Sequence, residues 1–202
     1  MFSSQGQSSN QPHMNTPTGH VSPEEIVQEN QLIEAAKADP AQFGALYNNH
    51  YEKIFRFVYQ RLDKKETAFD ITQQVFMKAL INIKKYEIRG VPFSSWLYRI
   101  ARNELNQLFR KNSSHRTINI DETDLRYMAD EMQADSLEEY SQKLPDVISD
   151  LEEDDLQLVE MRFFEKRSFK EIGDILDITE NNAKVRLYRV LDRLKETLTK
   201  KH

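Results

Sequence analysis

Residues 168–189 read SFKEIGDILDITENNAKVRLYR, and their reading decides the fold. Apolar residues fall at Phe169, Ile172, Ile175 and Leu176, the spacing of one buried helix face. Asp177, Ile178 and Thr179 interrupt that pattern, and the Thr179 hydroxyl can cap a following helix. This next helix buries Ala183, Leu187, Val190, Leu191 and Leu194, leaving Asn181, Asn182, Lys184, Val185, Tyr188 and Arg189 outside. Gly173 lets the two short helices approach closely. Two helices meeting at such a turn make a helix-turn-helix, whose second helix suits a DNA major groove. An ordinary helical pair with a solvated charged face fits the same pattern, so DNA binding is one of two readings here.

Working outward, the periodicity predicts helices and no strand alternation of useful length. Ser22-Pro23-Glu24-Glu25 is a helix start, with a capping hydroxyl, proline at the first helical position and acids at the positive end of the dipole. That helix is predicted to end near Asp39, before Pro40. A second carries Phe43, Leu46, Tyr47, Ile54, Phe57 and Val58 at helical spacing, and a third spans residues 65–84. After a loop at 86–92 with Gly90 and Pro92, a fourth spans 93–111 and buries Trp96, Leu97, Ile100, Leu105 and Leu108. Residues 1–21, almost all Ser, Gln, Asn, Pro, Thr and Gly, read as a disordered tail. From 112 to 143 the pattern turns acidic and loses its period, apart from one short helix near 137–140; a second helical module begins near Pro145. The predicted chain is all-α: a tail (1–21), a helical domain (22–112), a flexible acidic linker (113–143) and a helical domain (144–202).

Charge divides along the same lines. Residues 1–116 hold 15 Lys/Arg against 11 Asp/Glu, residues 117–160 hold 2 against 15, and residues 161–202 hold 11 against 7. The net −5 of the whole chain therefore hides two basic modules around an acidic connector. Two such modules can grip a polyanion at two places, while the connector is repelled by it and suits a positively charged channel.

The third and fourth helices carry further candidates. Asp70, Gln73, Gln74 and Met77 fall on one stripe, which suits either a partner helix or plain solvent. Arg99, Arg102, Asn103, Asn106, Arg110 and Lys111 surround the core of the fourth helix. Cations beside Trp96 and Tyr98 can hold unstacked bases as well as phosphates, although core packing is the first explanation of Trp96. Other chemistry finds no support. The chain has no cysteine, and His13, His20, His50, His115 and His202 show no metal-ligand spacing. No Gly-rich phosphate loop, nucleophile elbow or paired carboxylate motif occurs, so no catalytic residue, metal or cofactor is expected. No apolar run approaches the roughly 20 residues that span a bilayer. Residues 1–7 lack the basic and apolar regions of a secretory signal, and a cytoplasmic protein without membrane insertion is expected.

Four stretches in this order resemble the extracytoplasmic-function sigma factors, the compact two-domain branch of the sigma-70 family. Residues 43–51 (FGALYNNHY) are similar to the first helix of their region 2, and residues 70–80 (DITQQVFMKAL) to the polymerase-core-binding segment D-x-T-Q-E-x-F. Residues 93–110 (FSSWLYRIARNELNQLFR) resemble the promoter-melting helix F-x-x-W-L-x-x-I-A-R-N, and residues 168–189 the region 4 helix-turn-helix. The resemblance implies a protein that binds core RNA polymerase, recognises minus-thirty-five duplex and minus-ten single-stranded promoter elements and assists melting. It implies core docking by Asp70, Gln73, Gln74 and Met77, with a weaker charge contribution where Gln74 replaces the family's common acid. It further implies minus-ten contacts by Lys84, Arg89, Trp96, Arg99, Arg102, Asn103 and Arg110, with the loop 84–91 capturing a flipped base. The implied minus-thirty-five contacts are Arg162, Lys170, Asn182, Lys184, Val185, Arg186, Tyr188 and Arg189. An anti-sigma protein is a further candidate partner. The chain departs from the family at Asn181-Asn182-Ala183, where Gly-Thr-Val is common, at Gly173, where Ala is common, and at Asp177, where Gly is common. Two rival readings, a helix-turn-helix regulator without polymerase binding and a helical adaptor for acidic proteins, do not need the segment at 70–80.

Overall fold

The computed structural model describes residues 23–62, 64–112, 122–132 and 137–200; the predicted tail and residues 113–121 of the linker lie outside them. Among the described residues there are nine α-helices and no strand. Helix α1 (Pro23–Ala38) starts at the expected proline, and Asp39 then accepts from the Ala41 amide at 3.0 Å to start a short 3-10 turn. Helices α2 (Phe43–Tyr59), α3 (Lys65–Asn82) and α4 (Phe93–Asn112) pack around Phe43, Leu46, Ile54, Phe57, Val75, Phe76, Phe93, Leu97 and Leu105, all buried. Trp96, Ile100 and Leu108 are only half-buried, because α4 turns their side of the helix toward its surface.

The acidic connector is more ordered than its composition predicts. Helix α5 (Glu122–Glu131) forms because Leu125, Met128, Ala129 and Met132 recur at i, i+3, i+4 and i+7 and are all buried. Helix α6 (Leu137–Ser149) packs against it and keeps Pro145 inside rather than at its start. The predicted break at 112–143 is therefore shorter than expected. Helix α7 (Glu153–Val159) passes into one π-helical turn at Glu160–Phe164, a widening that often marks a functional or strained place in a helix.

Helices α8 (Phe169–Leu176) and α9 (Glu180–Lys200) form the predicted helix-turn-helix. Ser168 and Glu171 cap α8 reciprocally: the Glu171 amide donates to Ser168 Oγ at 3.3 Å, and the Ser168 amide donates to Glu171 Oε2 at 3.0 Å. Asp177 ends α8 in the left-handed region, φ 59 and ψ 42. Thr179 caps α9 by accepting from the Asn182 amide at 3.1 Å. Ile172, Ile175, Ala183, Leu187, Val190, Leu191 and Leu194 are buried as the periodicity requires.

The two modules share one continuous cluster of buried apolar residues, with α8 lying on α4. A polar seam runs through the junction. Arg61, 3% exposed, stacks 3.6 Å from the Phe57 ring centroid and donates to Glu160 Oε2 at 3.0 and 3.2 Å. Tyr98 donates to Glu165 Oε2 at 3.0 Å. Arg167 lies over the Tyr98 ring and donates to Ser94 Oγ at 3.2 Å and Glu171 Oε1 at 3.0 Å. Burial, then the Glu165 charge, raises the Tyr98 pKa. For Arg167 burial acts downward, but Tyr98, Glu171 and Glu165 outweigh it and the net shift is upward.

Candidate functional site

Three surfaces carry the candidate residues. On α3, Asp70, Gln74 and Met77 are exposed, while Gln73 is half-buried and donates to the Tyr47 hydroxyl at 3.2 Å. The same side exposes Phe69 and Ile81, at 49% and 70%, beside Met77 at 58%. Phe69 and Ile81 belong to no charged or polar motif, but residues 69, 73, 77 and 81 follow one another at i, i+4, the spacing that places them on one side of the helix. Next to this row α2 carries Tyr47, Tyr51, Phe55 and Tyr59 at the same spacing. Their rings follow one another at centroid distances of 5.2, 6.0 and 5.8 Å. Three large apolar side chains in water, flanked by an acid and two amides, make a surface suited to a protein partner.

The second surface is α4 with the loop before it. Lys84, Asn103 and Arg110 are exposed, and Arg110 Nε donates to the Asn106 carbonyl at 3.2 Å. Asn103, Asn106, Gln107, Phe109, Arg110 and Glu153 line a groove of ≈ 500 Å³. Trp96 is half-buried, with Tyr86 at 4.8 Å and Phe93 at 5.5 Å between ring centroids, so it serves the core and keeps part of its surface outside. Three of the predicted cations face the other module. Arg99 donates to the backbone carbonyl of Asp174 and lies 3.2 Å from its carboxylate. Arg89 lies 3.7 Å from that carboxylate, and Arg102 donates to the Ile175 carbonyl at 3.4 Å. Burial first, and Arg99 beside it, lower the pKa of Arg102.

The third surface is α9 with α8 and the π-helical turn. Asn182, Lys184, Val185, Tyr188 and Arg189 form one exposed face. Tyr188 donates to Glu131 Oε1 of the connector at 3.1 Å, and its ring is 6.3 Å from Phe169; burial and then Glu131 raise its pKa. Arg162 lies over Phe169 and donates to the Arg167 carbonyl at 3.2 Å. Arg186 turns sideways to α7, 3.5 Å from Asp155 and 3.8 Å from Asp154. Lys170 points to the first module and donates to the Gly90 carbonyl at 2.8 Å. Asn182, Lys184, Val185, Tyr188 and Arg189 are thus gathered on one face, whereas Arg162, Lys170 and Arg186 are held at its margins.

Comparison with known proteins matches the two modules separately. The family description Sigma-70 region 2 matches residues 46–115, and Sigma-70, region 4 matches residues 147–196, together more than half of the chain. The ECF RNA polymerase sigma factor SigW of Bacillus subtilis is 26% identical over 86% of this chain and 98% of its own length. The ECF RNA polymerase sigma factor BldN of Streptomyces coelicolor is 27% identical over 83% of this chain, which spans 65% of BldN. Among solved structures, CnrH in complex with the cytosolic domain of CnrY shares the fold, with a TM-score of 0.56 at 16% identity over 86% of this chain and 99% of CnrH.

Proposed function

Because the chain belongs to the sigma-70 family, in its extracytoplasmic-function branch, and is an RNA polymerase sigma factor for promoter recognition and initiation, we propose how its three surfaces divide that work. The α3 row takes core RNA polymerase. Phe69, Met77 and Ile81 supply apolar anchors, while Asp70, Gln73 and Gln74 orient the partner with polar contacts. The α4 face takes the minus-ten strand once it is single: Arg99, Arg102 and Arg110 hold phosphates, Asn103 reads a base edge, and Trp96 with the loop at 84–91 supports an extruded base. The exposed α9 face enters the minus-thirty-five major groove, with Lys184, Val185, Tyr188 and Arg189 toward base edges. Arg162, Lys170 and Arg186 contact the flanking backbone.

The protein performs no bond chemistry of its own in this reading; catalysis belongs to the polymerase. Melting is driven by contacts that single-stranded bases gain and paired bases cannot, which offset a few kcal/mol of lost stacking per base. An anti-sigma partner finds its most direct target in the α3 row, since covering it blocks the polymerase. The place of action is the cytoplasm, and no described helix is long and apolar enough to cross a membrane.

The observation that carries this assignment is the exposed row Phe69, Met77 and Ile81 on the module that also bears the α4 cations. A duplex-binding regulator needs the α9 face but has no use for that row. Met77→Asp with Ile81→Asp changes only exposed side chains, so the fold should persist while affinity for core polymerase falls roughly tenfold or more. Run-off transcription from a genomic fragment library should show protein-dependent transcripts that the double variant loses. Unchanged binding to core would remove the docking assignment, and the absence of both transcripts and core binding would favour a duplex-binding regulator.

A further inference from the structure

A cleft of ≈ 880 Å³, larger than the groove on α4, takes no part in the three surfaces above. Helices α1, α2 and the start of α4 line one side of it, and the start of α5 with the chain leaving the π-helical turn lines the other. Its volume falls in the range of about 300–1,000 Å³ typical of small-ligand sites. None of the four acids on its walls is free. Glu29 Oε1 lies 2.8 Å from His50 Nε2, and Glu29 Oε2 accepts from the Phe93 amide at 2.6 Å. Glu165 accepts from the buried Tyr98 hydroxyl, Asp124 lies 3.8 Å from Lys166, and Glu25 is likewise engaged. The cations differ. Lys53 and Arg56, three residues apart on α2 and both exposed, make no side-chain hydrogen bond or ion pair with any described residue.

On the opposite wall Lys166 holds φ 53, in the left-handed region, just beyond the π-helical turn. The Arg167 amide closes this bend by donating to the Met161 carbonyl at 2.9 Å, a helix ending whose left-handed residue is usually glycine. Lysine there strains the backbone and places an ammonium at the cleft, 3.8 Å from Asp124 and so beyond hydrogen-bond distance. Behind it the buried Arg167 adds a fixed charge, and its Nε–H has no acceptor among the described residues.

We propose that this cleft binds a small polyphosphate, held by Lys53 and Arg56 from α2 and by Lys166 from the opposite wall. Two ammonium groups and one guanidinium fork match phosphate oxygens, and a lone phosphate would fill little of such a volume. The ligand would join two segments far apart in the chain, so its binding stabilises the folded protein by mass action.

The test titrates the full chain calorimetrically with ATP and with inorganic tripolyphosphate in magnesium-free buffer. At about 0.15 M salt, attraction between exposed charges is screened beyond about 8 Å. Both compounds should bind and raise the melting temperature. Equal affinities would assign the site to phosphates alone, and tighter ATP binding would extend it to nucleotides. Lys53→Ala with Arg56→Ala changes two exposed side chains, so the free protein should melt as before while affinity falls roughly tenfold or more. Lys166→Gly relieves the left-handed backbone while removing a cation. It should therefore melt no lower than the unmodified chain, yet bind more weakly and gain less from the ligand. A purely structural Lys166 would leave affinity unchanged, which overturns its role. Lys184→Ala with Arg189→Ala on α9 should leave affinity unchanged. Loss of binding there, with none in the α2 variant, overturns the proposal by showing that the polyphosphate only mimics DNA on α9. Absence of binding to the unmodified chain overturns it as well. Should a short single-stranded oligonucleotide displace ATP at a lower concentration than tripolyphosphate does, the cleft belongs to a nucleic-acid strand and the small-ligand assignment falls.

Discussion

Tyr86 shows how a single side chain reports on its surroundings. Its ring is buried edge-on against Phe93, at 5.2 Å and 88°, beside Trp96. Burial, then Glu29, then Asp174 push its pKa up to about 12, against the opposing effect of Arg89 and Arg99. The folded state therefore keeps the phenol protonated in a pH range where the unfolded chain has already lost the proton. Its contribution to stability is complete below about pH 10, declines above that pH, and is gone once the folded phenol ionises near pH 12. Urea midpoints measured at pH 9 and pH 11 should thus fall less in Tyr86→Phe than in the unmodified protein. Tyr51, Tyr98 and Tyr188 are shifted the same way, so the dependence should shrink without vanishing. Equal declines in both proteins would show that the junction around Tyr86 is open to water.

At the scale of elements, the helix-turn-helix rests on two adjacent choices of residue. A Cβ built on Gly173 would lie 2.8 Å from the Ile178 carbonyl oxygen and 3.1 Å from the Glu180 amide, both backbone atoms that cannot step aside alone. Gly173→Ala should cost about 1–3 kcal/mol in chemical denaturation. By shifting the turn it should also weaken duplex recognition more than single-strand binding. The left-handed position one turn later is held by Asp177, a residue that tolerates αL better than most. Where the family resemblance pairs Ala with Gly, this chain pairs Gly with Asp, and the close approach explains the first member. This element was legible in sequence because its periodicity, cap and turn all agree. Helix α5 was obscured by its acids, although Leu125, Met128, Ala129 and Met132 spell a helical face. The rows on α3 and α9 could be listed from spacing, except for Phe69 and Ile81. The engagement of Arg99 by Asp174 could not, since 75 residues separate them and no local rule pairs them.

For the whole molecule, the shared core makes a distinct statement about cooperativity. Two modules that unfold independently should give two heat-absorption peaks, whereas one continuous cluster predicts a single calorimetric transition. Removing the Glu160 carboxylate leaves the buried Arg61 guanidinium with only the Phe57 carbonyl and the Glu165 carboxylate 3.9 Å away, and breaking a buried pair costs about 3–5 kcal/mol. Glu160→Ala should split the transition in two, with the lower one belonging to the module that loses its hold first. A single shifted peak would mean that the apolar contacts of α4 and α8 suffice without the ion pair. The chemical character of that seam has a bearing on how the protein survives being pulled apart. Arg61, Glu160, Glu165, Arg167 and the Tyr98 hydroxyl are groups that water hydrates readily. An oily junction, once parted, would leave a surface eager to stick to neighbouring molecules. A strip of ionic groups across such a junction is wetted as the modules separate, so less of the parted surface is oily than the shared apolar core alone would leave.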